Sequence, residues 1–166
     1  MNVKDIDSPE SESGIIATLI HNPDYSFYSE NLLPNHFADR ANRCMYTAIC
    51  ELARRNVKTV DAYNILEVLN SSPATRKLAE DITLERVQEC IDMSDILCRN
   101  SLEEYKILVD NVLDAAFRRD TFRVLQDCML LCCNRNETDV EKKIYDAIDD
   151  VMTDFSAAEE IPTFGD

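Results

Sequence analysis

The chain has 166 residues, 45% hydrophobic and 30% charged, a size at which one domain buries roughly 68–70% of its unfolded surface without staples. Thirty-two acidic against 17 basic residues leave a formal charge of −15. That balance argues against a surface that grips a phosphate backbone and against a polybasic membrane module, since both need clustered Lys and Arg.

The two glycines, Gly14 and Gly165, are too few for a Walker A loop, a dinucleotide fingerprint or a nucleophile elbow. Scarce glycine also disfavours tight hairpin turns, so the expected fold class is all-α. Residues 1–7 carry Asp5 and Asp7, lack the apolar stretch of a signal peptide, and are expected to be disordered. Ser8-Pro9-Glu10 then reads as a helix start, followed by the apolar stripe Ile15, Ile16, Leu19 and Ile20 up to Asn22-Pro23. A turn-rich stretch through Tyr25, Phe27 and Tyr28 reaches Leu32-Leu33 and stops at Pro34. The next helix, from about Asp39 to Arg55, places Ala41, Met45, Ala48, Ile49 and Leu52 on one side. Asp61 caps a short helix with Ile65, Leu66 and Leu69 inward, ending at Asn70-Ser71-Ser72-Pro73. Thr83 starts another, with Leu84, Val87 and Ile91 inward.

Residues 8–100 are thus expected to form a small helical subdomain, and 101–155 a long antiparallel helical hairpin. Ser101-Leu102-Glu103-Glu104 is a capping-box pattern, and no proline or glycine follows before Cys133. Asn134 to Glu137 is a polar break. Thr138-Asp139-Val140-Glu141 offers a second box ahead of Val140, Ile144, Ile148, Val151 and Phe155. Residues 156–166, with Pro162, read as the start of a linker. The first hairpin helix is apolar on two faces: Phe122, Leu125, Met129 and Cys132 on one, Val124, Cys128 and Leu131 on the next. Folding back onto the body buries everything; otherwise the surplus stripe is a surface for a second molecule.

These elements resemble the N-terminal domain of DnaB-type replicative DNA helicases. The run Glu10 to Ile20 is similar to that family's E-A-E-x-x-V-L-G-x-L-L helix, with the glycine displaced to Gly14. Leu33-Pro34-Asn35-His36-Phe37 is similar to the segment that ends in Phe before the next helix. Asn42-Arg43-Cys44-Met45-Tyr46 resembles H-R-x-I-F, with Asn42 in place of histidine, and Val60 to Ile65 falls where the family writes I-D-x-x-T-L. Tyr105 to Val109, followed by Arg118-Arg119, resembles the start of the hairpin. The family's V-G-G turn has no glycine counterpart between Ile82 and Ser94.

The resemblance implies a non-catalytic, cytoplasmic collar domain. In such helicases the hairpins pair into dimers, three dimers sit on the ATPase hexamer, and the collar recruits primase and the helicase loader. DNA is touched only indirectly. The P-loop ATPase domain, with its ATP and Mg, follows this domain in the family and is not in this sequence. The linker-like Ile161-Pro162-Thr163-Phe164-Gly165-Asp166 favours a fragment over a free-standing regulator that competes for the helicase's partners. Leu113, Phe117, Phe122, Leu125 and Met129 are the expected self-association residues. Glu10 and Glu12, at the matching acidic start, are candidates for partner contact.

Other features take plainer readings. His21 and His36 are too far apart for a metalloprotease motif. Cys128 and Cys132 stand one helical turn apart, enough for two zinc ligands but not four; a cysteine-based metal protein is the third reading, and core packing the first. From Glu137 onward ten acids face Lys142 and Lys143, a balance of −8. Asp146, Asp149, Asp150 and Asp154 read as a solvated face, or as a docking surface for a basic partner. Arg118, Arg119, Arg123 and Arg135, interleaved with Phe117 and Phe122, are expected to pair with acids of the facing helix or a neighbouring subunit rather than to stack on single-stranded DNA.

Overall fold

A computed structural model describes residues 3–156. Among them are seven α-helices, three short 3-10 turns and no strand: α1 Pro9–His21, α2 Arg40–Arg54, α3 Ala62–Leu69, α4 Pro73–Leu78, α5 Leu84–Leu97, α6 Leu102–Cys133 and α7 Val140–Ser156. The chain divides into two compact units. One is Ser8–Leu113; the other, among the described residues, joins those through Asp7 to those from Asp114 to Ser156.

In the first unit local chemistry sets most boundaries. Asp39, Asp61, Ser72 and Thr83 each accept a hydrogen bond from the backbone N–H three residues on, capping α2 to α5. Helix α2 ends with Asn56 in the left-handed region (φ 60°), and the Val57 N–H donates to Leu52 O across it at 2.9 Å. These are the marks of a Schellman stop, with Asn in the place glycine usually takes. Helix α1 packs against α2 and α5, α2 against α3, and α3 against α5. Ile15, Leu19, Phe37, Met45, Ile49, Ile65, Leu69 and Val87 form the core, completed by Tyr105, Leu108, Val109 and Val112 from the start of α6.

Helices α1 and α6 approach closely at Gly14. A Cβ built there would lie 2.8 Å from Leu108 Cδ1, so even an alanine displaces that side chain. Asn111 Nδ2 donates to Ser11 Oγ at 3.2 Å one turn away. Thr18, fully buried, donates through Oγ1 to Gly14 O (2.7 Å) and accepts from the Arg99 N–H (2.9 Å), tying the α5–α6 connection to α1.

Several expectations need correction. Helix α3 does run out at Asn70, its C-cap, but Ser72-Pro73 then begins a further helix, α4, that was not expected, because Ser72 Oγ accepts from Thr75 N at 3.2 Å and Pro73 occupies a position that needs no N–H donor. Leu84, the first residue of α5, is exposed, not inward; Ile82 before it and Val87 after it are the residues that pack on the core. The expected boundary near residue 100 moves into α6, since Leu102–Leu113 belongs with the first unit. The expected disorder of 1–7 does not hold for Val3–Ile6, which form a 3-10 turn. Asp7 Oδ1 then accepts from the buried Arg119 Nη1 at 3.2 Å. Met1, Asn2 and the expected linker beyond Ser156 lie outside the described residues.

In the second unit α6 and α7 run antiparallel: Phe117 and Phe155 meet edge to face with centroids 5.3 Å apart. The polar break forms a turn in which Glu137 N donates to Asn134 O. Asp139 is left-handed (φ 56°) and α7 begins at Val140. A capping box opening at Thr138 would need helical geometry at Asp139, so that expectation fails. The first box holds in part: Glu104 N donates to Ser101 Oγ at 3.2 Å, but the Glu104 carboxylate accepts from Asn100 N rather than from the cap residue.

Candidate interaction surfaces

At 100° per residue, the two apolar rows of α6 beyond Asp114 lie roughly a quarter to a third of a turn apart. They meet different fates. Cys128 is buried and Val124 and Leu131 are half-buried, as are Val140, Ile144, Ile148 and Phe155 of α7, with Val151 buried. On the other row Leu125 is 47% and Met129 68% exposed, and Cys132 is exposed beside them. Phe122 is half-buried at the head of that row.

Of the five expected self-association residues, Leu125 and Met129 therefore present free apolar surface. Phe117 is engaged with Phe155, and Leu113 packs against the core of the first unit. Leu130, Tyr145 and Met152 are also exposed and were not anticipated. For Tyr145 and Met152 the spacing of seven, two helical turns, was a signal available in the sequence.

The two glutamates at the start of α1 separate. Glu10 is exposed. Glu12 is 3% exposed, and its carboxylate accepts from the Ala38 N–H (3.0 Å) and the Asp39 N–H (3.2 Å) and bonds Asn42. Burial raises its pKa above the ordinary value, outweighing the hydrogen bonds that favour the charged form. The expected partner contact is thus corrected for Glu12, whose oxygens anchor the start of α2. Around the same point Arg43 Nη2 donates to Phe37 O at 2.9 Å, and the Phe37 ring lies 4.9 Å from that of Tyr46. Tyr46 Oη donates to Leu32 O at 3.0 Å and also neighbours Ser29 Oγ, which lies 2.7 Å from Tyr105 Oη. Burial raises the pKa of both tyrosines, keeping them neutral hydrogen-bonding groups.

The remaining candidates are local. His36 Nδ1 accepts from Leu33 N at 2.9 Å within its own turn. His21 Nε2 lies 2.9 Å from Asp95 and 3.1 Å from Ser94 Oγ. Both contacts fall on one nitrogen, and Ser94 is buried, donating to Ile91 O; a relay needs opposite ring nitrogens. Arg118 pairs with Asp114 of its own helix at 2.8 Å, and Arg119 with Asp7 at 3.2 Å. Asp146, Asp149, Asp150 and Asp154 are exposed along α7. All seven cysteines are free thiols, and among the described residues no three His, Cys, Asp or Glu side chains come together as a metal site. No helix among them is long and apolar enough to cross a membrane.

The described residues thus form an all-helical unit and an antiparallel helix pair, with exposed carboxylates along α7 and an exposed apolar row on α6. The sequence matches the DnaB-like helicase N terminal domain family over residues 4–97, more than half of the chain, and the protein belongs to that family. No curated protein matches it. The match takes in Glu12, Phe37, Asn42, Arg43 and Tyr46, which converge at the start of α2. Helices α6 and α7 lie beyond the matched residues.

Proposed function

We propose that this chain is the collar domain of a replicative DNA helicase, one that self-associates through α6 and α7 and recruits primase and the helicase loader. One observation carries the self-association: the row Leu125, Met129 and Cys132 remains exposed while the neighbouring row of the same helix is covered. Apolar surface of that kind, continuous along a helix, is characteristic of contacts between copies. The charge of −15 supports a role in protein contacts, since it repels a phosphate backbone. Phe122, half-buried at the head of the row, and Phe117, which holds α7 in place, support the interface from beneath. Glu10 is the exposed acid left for partner contact at the start of α1.

Light scattering on the purified chain at micromolar concentrations tests the reading. A dimer or larger assembly is expected. A monomeric mass at every concentration would falsify it.

A further inference from the structure

Helix α5 presents a face that the core of its own unit does not use. Ile96 is 74% exposed, Met93 45% and Leu97 36%. Spacings of three and four bring them together on the last turns of the helix. Behind Ile96, at spacings of four, three and four, run Asp92, Glu89 and Glu85, all exposed. The opposite side of α5 is occupied, with Val87 and Ser94 buried and Cys90 and Ile91 half-buried. A row of carboxylates thus leads onto an apolar end.

Arg86 is the one cation on α5; it pairs with Glu89 at 3.2 Å and approaches Asp39 at 4.0 Å. Gln88 Nε2 donates to Asp92 at 2.9 Å. These contacts orient the carboxylates without covering them.

We propose that this face docks a basic amphipathic helix of a partner protein. Apolar side chains of the incoming helix seat over Met93, Ile96 and Leu97, and its Lys or Arg heads lie over Glu85, Glu89 and Asp92. Charge selects the occupant. Nucleic acid and anionic lipid are repelled by the carboxylate row, and a second copy meeting this face with its own would set Glu85, Glu89 and Asp92 against the same three acids. A helix carrying both cations and an apolar stripe satisfies both halves of the face. The inference rests on the recruitment part of the proposed function and is independent of self-association.

A synthetic amphipathic helical peptide of leucine and lysine, labelled for fluorescence anisotropy, is the probe, titrated against the whole chain. Ile96→Gln alters no charge at an exposed position, so the fold and the long-range attraction stay as they are. Binding about tenfold weaker is expected, the order of effect from losing one buried aliphatic side chain. Asp92→Asn is expected to reduce the salt dependence, and Tyr63→Gln, at a position of α3 that is also 74% exposed, to leave binding unchanged. The proposal is overturned if the peptide does not bind, if it binds Ile96→Gln as tightly as wild type, or if Tyr63→Gln weakens it equally. A change in the chain's own mass on Ile96→Gln would assign the face to a second copy and overturn it too. Failure of the self-association reading shows separately, in the light scattering of the chain alone.

Discussion

Charging Met129 tests whether the outer row of α6 is a contact between copies. The side chain is 68% exposed, so about two thirds of the roughly 1.5–3 kcal/mol from full burial, about 1–2 kcal/mol, remains available to a partner. In a two-fold symmetric pair the residue counts twice, giving about 2–4 kcal/mol before any desolvation of the new charge. At about 1.4 kcal/mol per decade, the dimer Kd rises about 30- to 1,000-fold. An added acid on a chain at −15 would also weaken association by repulsion alone, so Met129→Asp and Met129→Lys are compared. Burial requires both to shift sedimentation-equilibrium mass toward monomer, with unchanged circular dichroism, since the site supports little of the fold. If Met129→Lys associates as wild type while Met129→Asp does not, net charge explains the effect and the apolar argument fails.

Three further outcomes follow from the packing. Glu12→Ala leaves the Ala38 and Asp39 N–H groups without their acceptor and costs about 2–6 kcal/mol in urea unfolding, at roughly 1–3 kcal/mol for each orphaned donor. Because the Glu12 pKa is raised in the folded state, its favourable contribution is full below the unfolded-state pKa and is lost as pH rises through the folded one. Wild type should therefore lose stability relative to Glu12→Gln over that window; a difference that is flat with pH contradicts the burial argument. Gly14→Ala should be close to neutral, the helix-propensity gain of about 1 kcal/mol offsetting displacement of Leu108. In a Leu108→Ala background the same change should stabilise by about 1 kcal/mol, and a destabilisation there would place the constraint elsewhere. Cys132 and Cys133 are exposed, whereas burial raises the pKa of Cys44, Cys50 and Cys90. Iodoacetamide mapped by mass spectrometry should modify the first two in the native protein and the other three only on denaturation.

Local signals along the chain determined where most helices run. Asp39, Asp61, Thr83 and Ser101 cap where a short polar side chain meets an apolar repeat, and the stripes of α1 and α2 are buried as their spacing requires. Helix α4 escaped because Ser-Ser-Pro directly follows the real stop of α3 at Asn70 and reads as part of it; the Thr75 N–H on Ser72 Oγ makes it a new start as well. Glu12 was ambiguous for a different reason. An acid in a first helical turn is ordinarily solvated, and its burial depends on backbone donors 26 and 27 residues away. The apolar surplus on α6 was visible as two rows, but spacing is symmetric between them. Tertiary structure alone decided that Val124, Cys128 and Leu131 would be the covered row and Leu125, Met129 and Cys132 the open one. Periodicity specifies how side chains share a helix; which side is covered depends on elements far along the chain, and that information exists only once the chain has folded.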